Sequence, residues 1–128
     1  MRIKFTLLAA MLVSALNIPL YAQSGTADLS AAGWRAIQDS DGEAAHELFA
    51  RALTLDPNDA VLHLGAGAAA HLRGEDAEAS RSLQRALTID PSLTIASKLL
   101  AEIAFLGGDL DLAVDTYEQA LTLSLIHI

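Results

Sequence analysis

Along most of the chain, apolar and small residues return every three to four positions. Ala45, Phe49 and Ala52 stand at i, i+4 and i+7, as do Ala79, Leu83 and Ala86, and Ala113, Tyr117 and Ala120. That spacing places each trio on one face of an α-helix. In each trio a large side chain lies between two small ones, so two helices can approach closely while the large residue fills the remaining gap. Ser40-Asp-Gly-Glu43 reads as a capping box, with Ser40 and Glu43 satisfying each other's backbone donors. Asp56-Pro57 and Asp90-Pro91 read as helix ends, because the residue before proline is pushed out of the α region. The pattern predicts six helices near 27–38, 42–55, 60–73, 76–89, 93–106 and 110–123, an all-α chain. Gly33 and Gly67 fall inside helices, where glycine costs about 1 kcal/mol relative to alanine, so a close helix contact is expected at each.

The first 22 residues follow different rules. Arg2 and Lys4 precede an apolar run, Phe5 to Leu20, and Ala22 offers a small residue for cleavage. This is the order of a secretory signal peptide, with a cut expected after Ala22 or after Ser24. The run is shorter than the roughly 20 residues needed to span a bilayer and contains Pro19, which argues against a retained anchor. Periplasmic or secreted localisation, with no membrane association after cleavage, is the expectation. Removing Arg2 and Lys4 from the 8 Lys+Arg leaves 6 against 16 Asp+Glu, a net charge of −10 on the mature chain. Nucleic acid is therefore not an expected partner, since binding polyphosphate needs clustered cations. With no cysteine there is no disulfide, thiolate metal site or cysteine nucleophile. Aromatic residues, at 5%, are sparse for a β-sandwich or a base-stacking surface.

A period of 34 residues organises the rest. Arg51-Ala-Leu-Thr-Leu-Asp-Pro57 returns as Arg85-Ala-Leu-Thr-Ile-Asp-Pro91, and one period later as Gln119-Ala-Leu-Thr-Leu-Ser-Leu125. A fixed period of this length marks stacked repeats. Within each period the residues resemble the tetratricopeptide repeat family. The first unit carries Leu29, Ala32-Gly33, Ala36, Ala45, Phe49, Ala52 and Pro57. The second carries His63, Ala66-Gly67, Ala70, Ala79, Leu83, Ala86 and Pro91. The third carries Ser97, Leu100-Ala101, Ala104, Ala113, Tyr117 and Ala120. The second-helix half matches in all three, whereas small residues replace large ones in the first-helix half. The resemblance implies an α-solenoid of three helix-turn-helix repeats over residues 26–125, at about 26–59, 60–93 and 94–125, forming a right-handed superhelix.

In that family the first helix of each repeat lines a concave groove. The resemblance thus implies a binding surface of Ser30, Leu64 and Lys98; Trp34, Ala68 and Glu102; and Ile37, His71 and Phe105, each trio related by the period. The expected occupant is a protein or peptide, either an amphipathic helix or an extended segment. Trp34 serves either as a groove anchor or as a space-filler between neighbouring helices. Some family members clamp a peptide carboxylate with a Lys, Asn and Arg set. Ser30, Trp34, Leu64 and Ala68 stand at the corresponding positions here, so a heat-shock-chaperone clamp is not expected.

Signals for chemistry are weak. His63 and His71 are eight residues apart, about 12 Å along a helix, too far to share one ion, and His46-Glu47 lacks a second histidine. The acidic stretches Gly74 to Glu78 and Asp109 to Asp111 lack the ligand set of a calcium loop and suit helix N-termini instead. Gly65-Ala-Gly67 follows no strand and reads as packing rather than as a phosphate loop. No metal, no cofactor and no catalysis are expected. The tail Leu121 to Ile128 ends apolar, without the Asp-Pro of its predecessors, and its last residues resemble translated sequencing-adapter read-through. Two expectations follow: the natural chain continues with further repeats, making this an N-terminal fragment, or the uncapped end self-associates as a homodimer.

Overall fold

The structure is a computed structural model that describes residues 25–126; the expected signal peptide and the last two residues lie outside that range. The described residues form six helices and no strand: α1 (25–38), α2 (Gly42–Leu55), α3 (Ala60–Leu72), α4 (Asp76–Ile89), α5 (Thr94–Leu106) and α6 (Leu110–Ile126). The helices expected from the pattern are present, most of them within a residue or two of their expected ends. They pair as α1–α2, α3–α4 and α5–α6, three helix-turn-helix units stacked as a solenoid. Contacts run along the stack, with α2 against α3, α3 against α4, α4 against α5 and α5 against α6. The difference at the end of α6 has a simple cause. Leu125 stands where Pro57 and Pro91 stop α2 and α4, and nothing there forces the backbone out of the helix.

The turn inside each unit is the same device three times. Ser40, Gly74 and Gly108 are 34 residues apart and all have left-handed backbone, with φ of 58°, 76° and 82°. Their N–H groups donate to the carbonyls of Ile37, His71 and Phe105 at 3.0, 3.0 and 3.1 Å. The next residues, Asp41, Glu75 and Asp109, donate to Ala36, Ala70 and Ala104 at 2.8, 2.9 and 2.8 Å. This is a Schellman closure, which satisfies two carbonyls of the ending helix. Ser40 is therefore not the N-cap that the capping-box reading expected. The cap of α2 is Asp41, whose carboxylate accepts from Ala44 N–H at 3.0 Å. The need for a left-handed residue at 40 shifted the cap by one. Glycine adopts that conformation without the Cβ penalty that serine meets. Ser40→Gly is expected to stabilise the protein by about 0.5–1 kcal/mol, allowing for the greater freedom of glycine in the unfolded chain. The urea midpoint of the two proteins checks this.

The core is one layer between successive helix pairs, in two clusters. Ala36, Ala45, Phe49, Ala52, Leu62 and Ala69 form the first; Leu64, Ala79, Leu83, Ala86, Ala96, Leu100 and Ile103 dominate the second. Phe49 and Leu83, the large members of their trios, have no exposed surface. Phe49 is seated between glycines. A Cβ at Gly33 would lie 2.8 Å from its ring, and one at Gly65 would overlap it. Gly67 bears in the same way on Leu83. The close contact expected of Gly33 and Gly67 is thus present, and Gly65 joins them.

Candidate functional site

Stacking by a fixed period brings equivalent positions of α1, α3 and α5 to the same side of the solenoid. Of the nine residues expected to line the groove, Ser30, Trp34, Ile37, Ala68 and His71 are half-buried, while Lys98, Glu102 and Phe105 are exposed. Phe105 keeps 63% of its surface. Leu64 is a correction: at 5% exposure it belongs to the second core cluster and presents nothing to a partner. Its equivalents Ser30 and Lys98 stay at least partly exposed, whereas Leu64 packs into the cluster of Leu83 and Leu100, with Trp34 against it. Trp34 meets the Phe49 ring edge to face, with centroids 5.2 Å apart and planes at 73°. It also packs against both core clusters, so the space-filling role is the one its contacts display, with part of the indole left at the surface.

The polar groups around the stack are tied to structure. His63 is buried, and its Nε2–H donates to the Pro57 carbonyl at 2.8 Å, which fixes the loop before α3. His71 Nδ1 donates to Asp76 Oδ1 at 2.8 Å, linking the end of α3 to the start of α4. Arg73 bridges two acids, Glu43 at 3.0 Å and Glu75 at 3.0 Å, and so fastens the first turn of α2 to the turn after α3. The Ser92 hydroxyl and backbone N–H donate to Asp90 at 2.6 and 3.0 Å and hold its carboxyl below the usual carboxylate value. Among the described residues, no three His, Asp or Glu side chains converge as metal ligands. No described helix is long and apolar enough to cross a membrane.

Sequence reasoning noted the apolar end from Leu121 onward but passed over the rest of the outer face of α6. Leu110, Val114, Tyr117 and Leu121 are each more than half exposed there. The signal was available one period earlier, where Asp76 and Ser80 stand at the positions of Leu110 and Val114.

The stacked pairs, their turns and the small–large–small trios define a repeat scaffold. A tetratricopeptide repeat model matches residues 36–103, more than half of the chain, and a second model of the same repeat matches residues 99–127. The chain belongs to the tetratricopeptide repeat family. No curated protein matches it in sequence. Among solved structures it is similar to PcrH in complex with the chaperone binding region of PopB, at 27% identity and TM-score 0.73, covering 79% of this chain and 82% of that one. It is also similar to the translocator chaperone SycD of Yersinia enterocolitica, in a structure described as an alternative dimer. That match has 24% identity and TM-score 0.73, covering 78% and 76% of the two chains. The second TPR of Spaghetti (RPAP3), bound to HSP90 peptide SRMEEVD, matches at 21% identity and TM-score 0.72, covering 80% of this chain and 96% of that one. The last two likenesses concern the fold alone.

Proposed function

We propose that this chain is an exported, non-catalytic scaffold that holds a peptide or helix of a protein partner along the side formed by α1, α3 and α5. The observation that carries this reading is the surface those helices leave open. Trp34, Ile37, Ala68 and His71 are partly exposed there, and Lys98, Glu102 and Phe105 are exposed. A mixed apolar and charged strip of this kind can seat apolar anchors and orient them with a few polar contacts. The complex of PcrH with a segment of PopB, on a similar fold, supports the class of partner. An HSP90-type peptide is not the partner proposed, because Ser30, Trp34, Leu64 and Ala68 replace the carboxylate clamp. Export rests on the charged, apolar, small-residue order of residues 1–22.

Trp34 packs on Phe49, so truncating it perturbs the fold as well as the surface; Phe105 and Lys98 are the cleaner probes. Affinity capture from the native cell envelope is expected to retain a specific partner with the mature wild-type chain. Phe105→Asp and Lys98→Glu together should lower capture at least about ten-fold, the loss typical of removing an interface anchor, with the helical signal and mass in solution unchanged. Undiminished capture by the double variant would remove this surface from consideration. An unprocessed N-terminus on protein recovered from the envelope would exclude the cleaved-export part.

A further inference from the structure

The loop between two units and the end of the next second helix enclose a hollow, and it occurs twice, one period apart. The first, of about 310 Å³, is lined by Pro57, Asn58, His63, Arg85, Thr88 and Ile89. Pro91, Gln119, Thr122 and Leu123 stand 34 residues after four of these and line the second, together with Asp115 and Glu118. The two copies have equivalent walls and opposite charge. The second holds two acids and no cation, whereas the first holds Arg85 and no carboxylate. The first lies inside the stack, where the first unit meets the second.

Arg85 is exposed, and among the described residues the ion pairs engage Arg73 and His71, not Arg85. Arg51 and Arg81 are exposed and unpaired in the same sense, but Glu47 and Glu78 stand within one turn before them; no acid lies within a turn of Arg85 on α4. Asp59, beside the hollow, is engaged as the cap of α3, accepting from Val61 and Leu62 N–H. Asp115 of α6 borders Gln84 and Thr88 in a separate hollow. His63 keeps only 9% of its surface, and its Nε2–H is held by the Pro57 carbonyl, which leaves Nδ1 as a free acceptor. Nδ1 has no partner among the described residues, where no fully buried side-chain N or O lacks one, so it opens into the hollow that His63 lines. A guanidinium fork takes both oxygens of a carboxylate, and the imidazole lone pair takes an N–H; a peptide offers both. Arg81, Arg85 and Ile89 follow at i, i+4 and i+8, about 12 Å along α4, and Ile89 is 43% exposed. That strip is longer than a single small anion. We propose that it binds an acidic segment of a partner protein, with a Glu or Asp side chain seated in the hollow on Arg85, a main-chain N–H on His63 Nδ1 and an apolar residue beside Ile89. Arg81 and Arg51 steer the segment toward it. The surface is separate from the α1–α3–α5 strip and does not depend on the reading given to that strip.

Two synthetic hexapeptides with blocked ends test this on the mature chain: Glu-Leu-Glu-Glu-Leu-Glu and its neutral counterpart Gln-Leu-Gln-Gln-Leu-Gln. The acidic peptide is expected to bind at least about ten-fold more tightly, with the difference shrinking as salt is raised. Its amide chemical-shift changes should centre on Asn58, His63, Arg85 and Thr88. Arg85→Gln copies the residue that stands one period later, Gln119, so the fold has already accepted it there. It should weaken the acidic peptide at least about ten-fold with the urea midpoint unchanged, while the pair Phe105→Asp and Lys98→Glu leaves binding intact. Equal affinity for the two peptides, undiminished binding by Arg85→Gln, or shift changes centred on Gln119 and Thr122 would each overturn the proposal. Displacement of the peptide by inorganic phosphate at equal concentration would mark a site for any anion and overturn its assignment to a peptide.

Discussion

Phe49→Ala is expected to destabilise the protein by about 4–5 kcal/mol, the upper part of the range for deleting a buried aromatic side chain. The cost depends on how far the surroundings can collapse into the space. Here the ring is walled by Gly33 and Gly65, which have no side chains to move inward, and by Trp34, whose edge contact is lost as well. That contact alone is worth about 0.5–1.5 kcal/mol beyond simple burial. Against a total stability of some 5–15 kcal/mol for a small domain, such a loss threatens the first repeat outright. Chemical denaturation followed by circular dichroism should show a lower midpoint and the loss of α1 and α2 ahead of the rest. A midpoint within about 1 kcal/mol of wild type would mean that the site relaxes as the glycine walls say it cannot.

The second large effect is expected from the opposite change. Gly65→Ala improves helix propensity by about 1 kcal/mol. Its Cβ, however, would overlap the Phe49 ring, and the ring has no retreat, since Gly33 closes the other side. Overpacking of this kind costs about 1–3 kcal/mol and sometimes more; with the full overlap the upper end applies, so a net loss of about 1–2 kcal/mol is expected. The mechanism has its own signature. In a Phe49→Leu background the added methyl finds room, so the double variant should be more stable than the two single losses predict, by at least about 1 kcal/mol of coupling. Additive losses would show that the ring and Gly65 do not share the space.

Much of this packing was legible in the sequence, because the signals were periodic. The trios at 45–49–52, 79–83–86 and 113–117–120 and the Asp-Pro stops reported the helices, and the 34-residue spacing reported the stack. What stayed illegible turned on single residues whose role is set by a neighbour. The capping box at Ser40 had the right letters, but the Schellman closure needs residue 40 in the left-handed region, and that need outweighs local side-chain chemistry. Leu64 shares its register with exposed Lys98, yet it packs into the second core cluster with Leu83 and Leu100, which the register does not show. Gly65 was legible as a packing glycine, but with no equivalent glycine one period away nothing in the repeat named Phe49 as its partner. Arg73, which ties Glu43 to Glu75, stands where the other units have Asp39 and Gly107, and a non-repeating bridge leaves no periodic trace.

The closures at Ser40, Gly74 and Gly108 share one set of hydrogen bonds, made by main-chain atoms with almost no reference to side chains. Each joint is therefore a standard coupling, indifferent to what is written on either flank. A gene built on such couplings can gain or shed whole modules by in-frame duplication without inventing a new corner. Selection is then free to rewrite the outward-facing letters of each copy while the hinge beneath them stays the same.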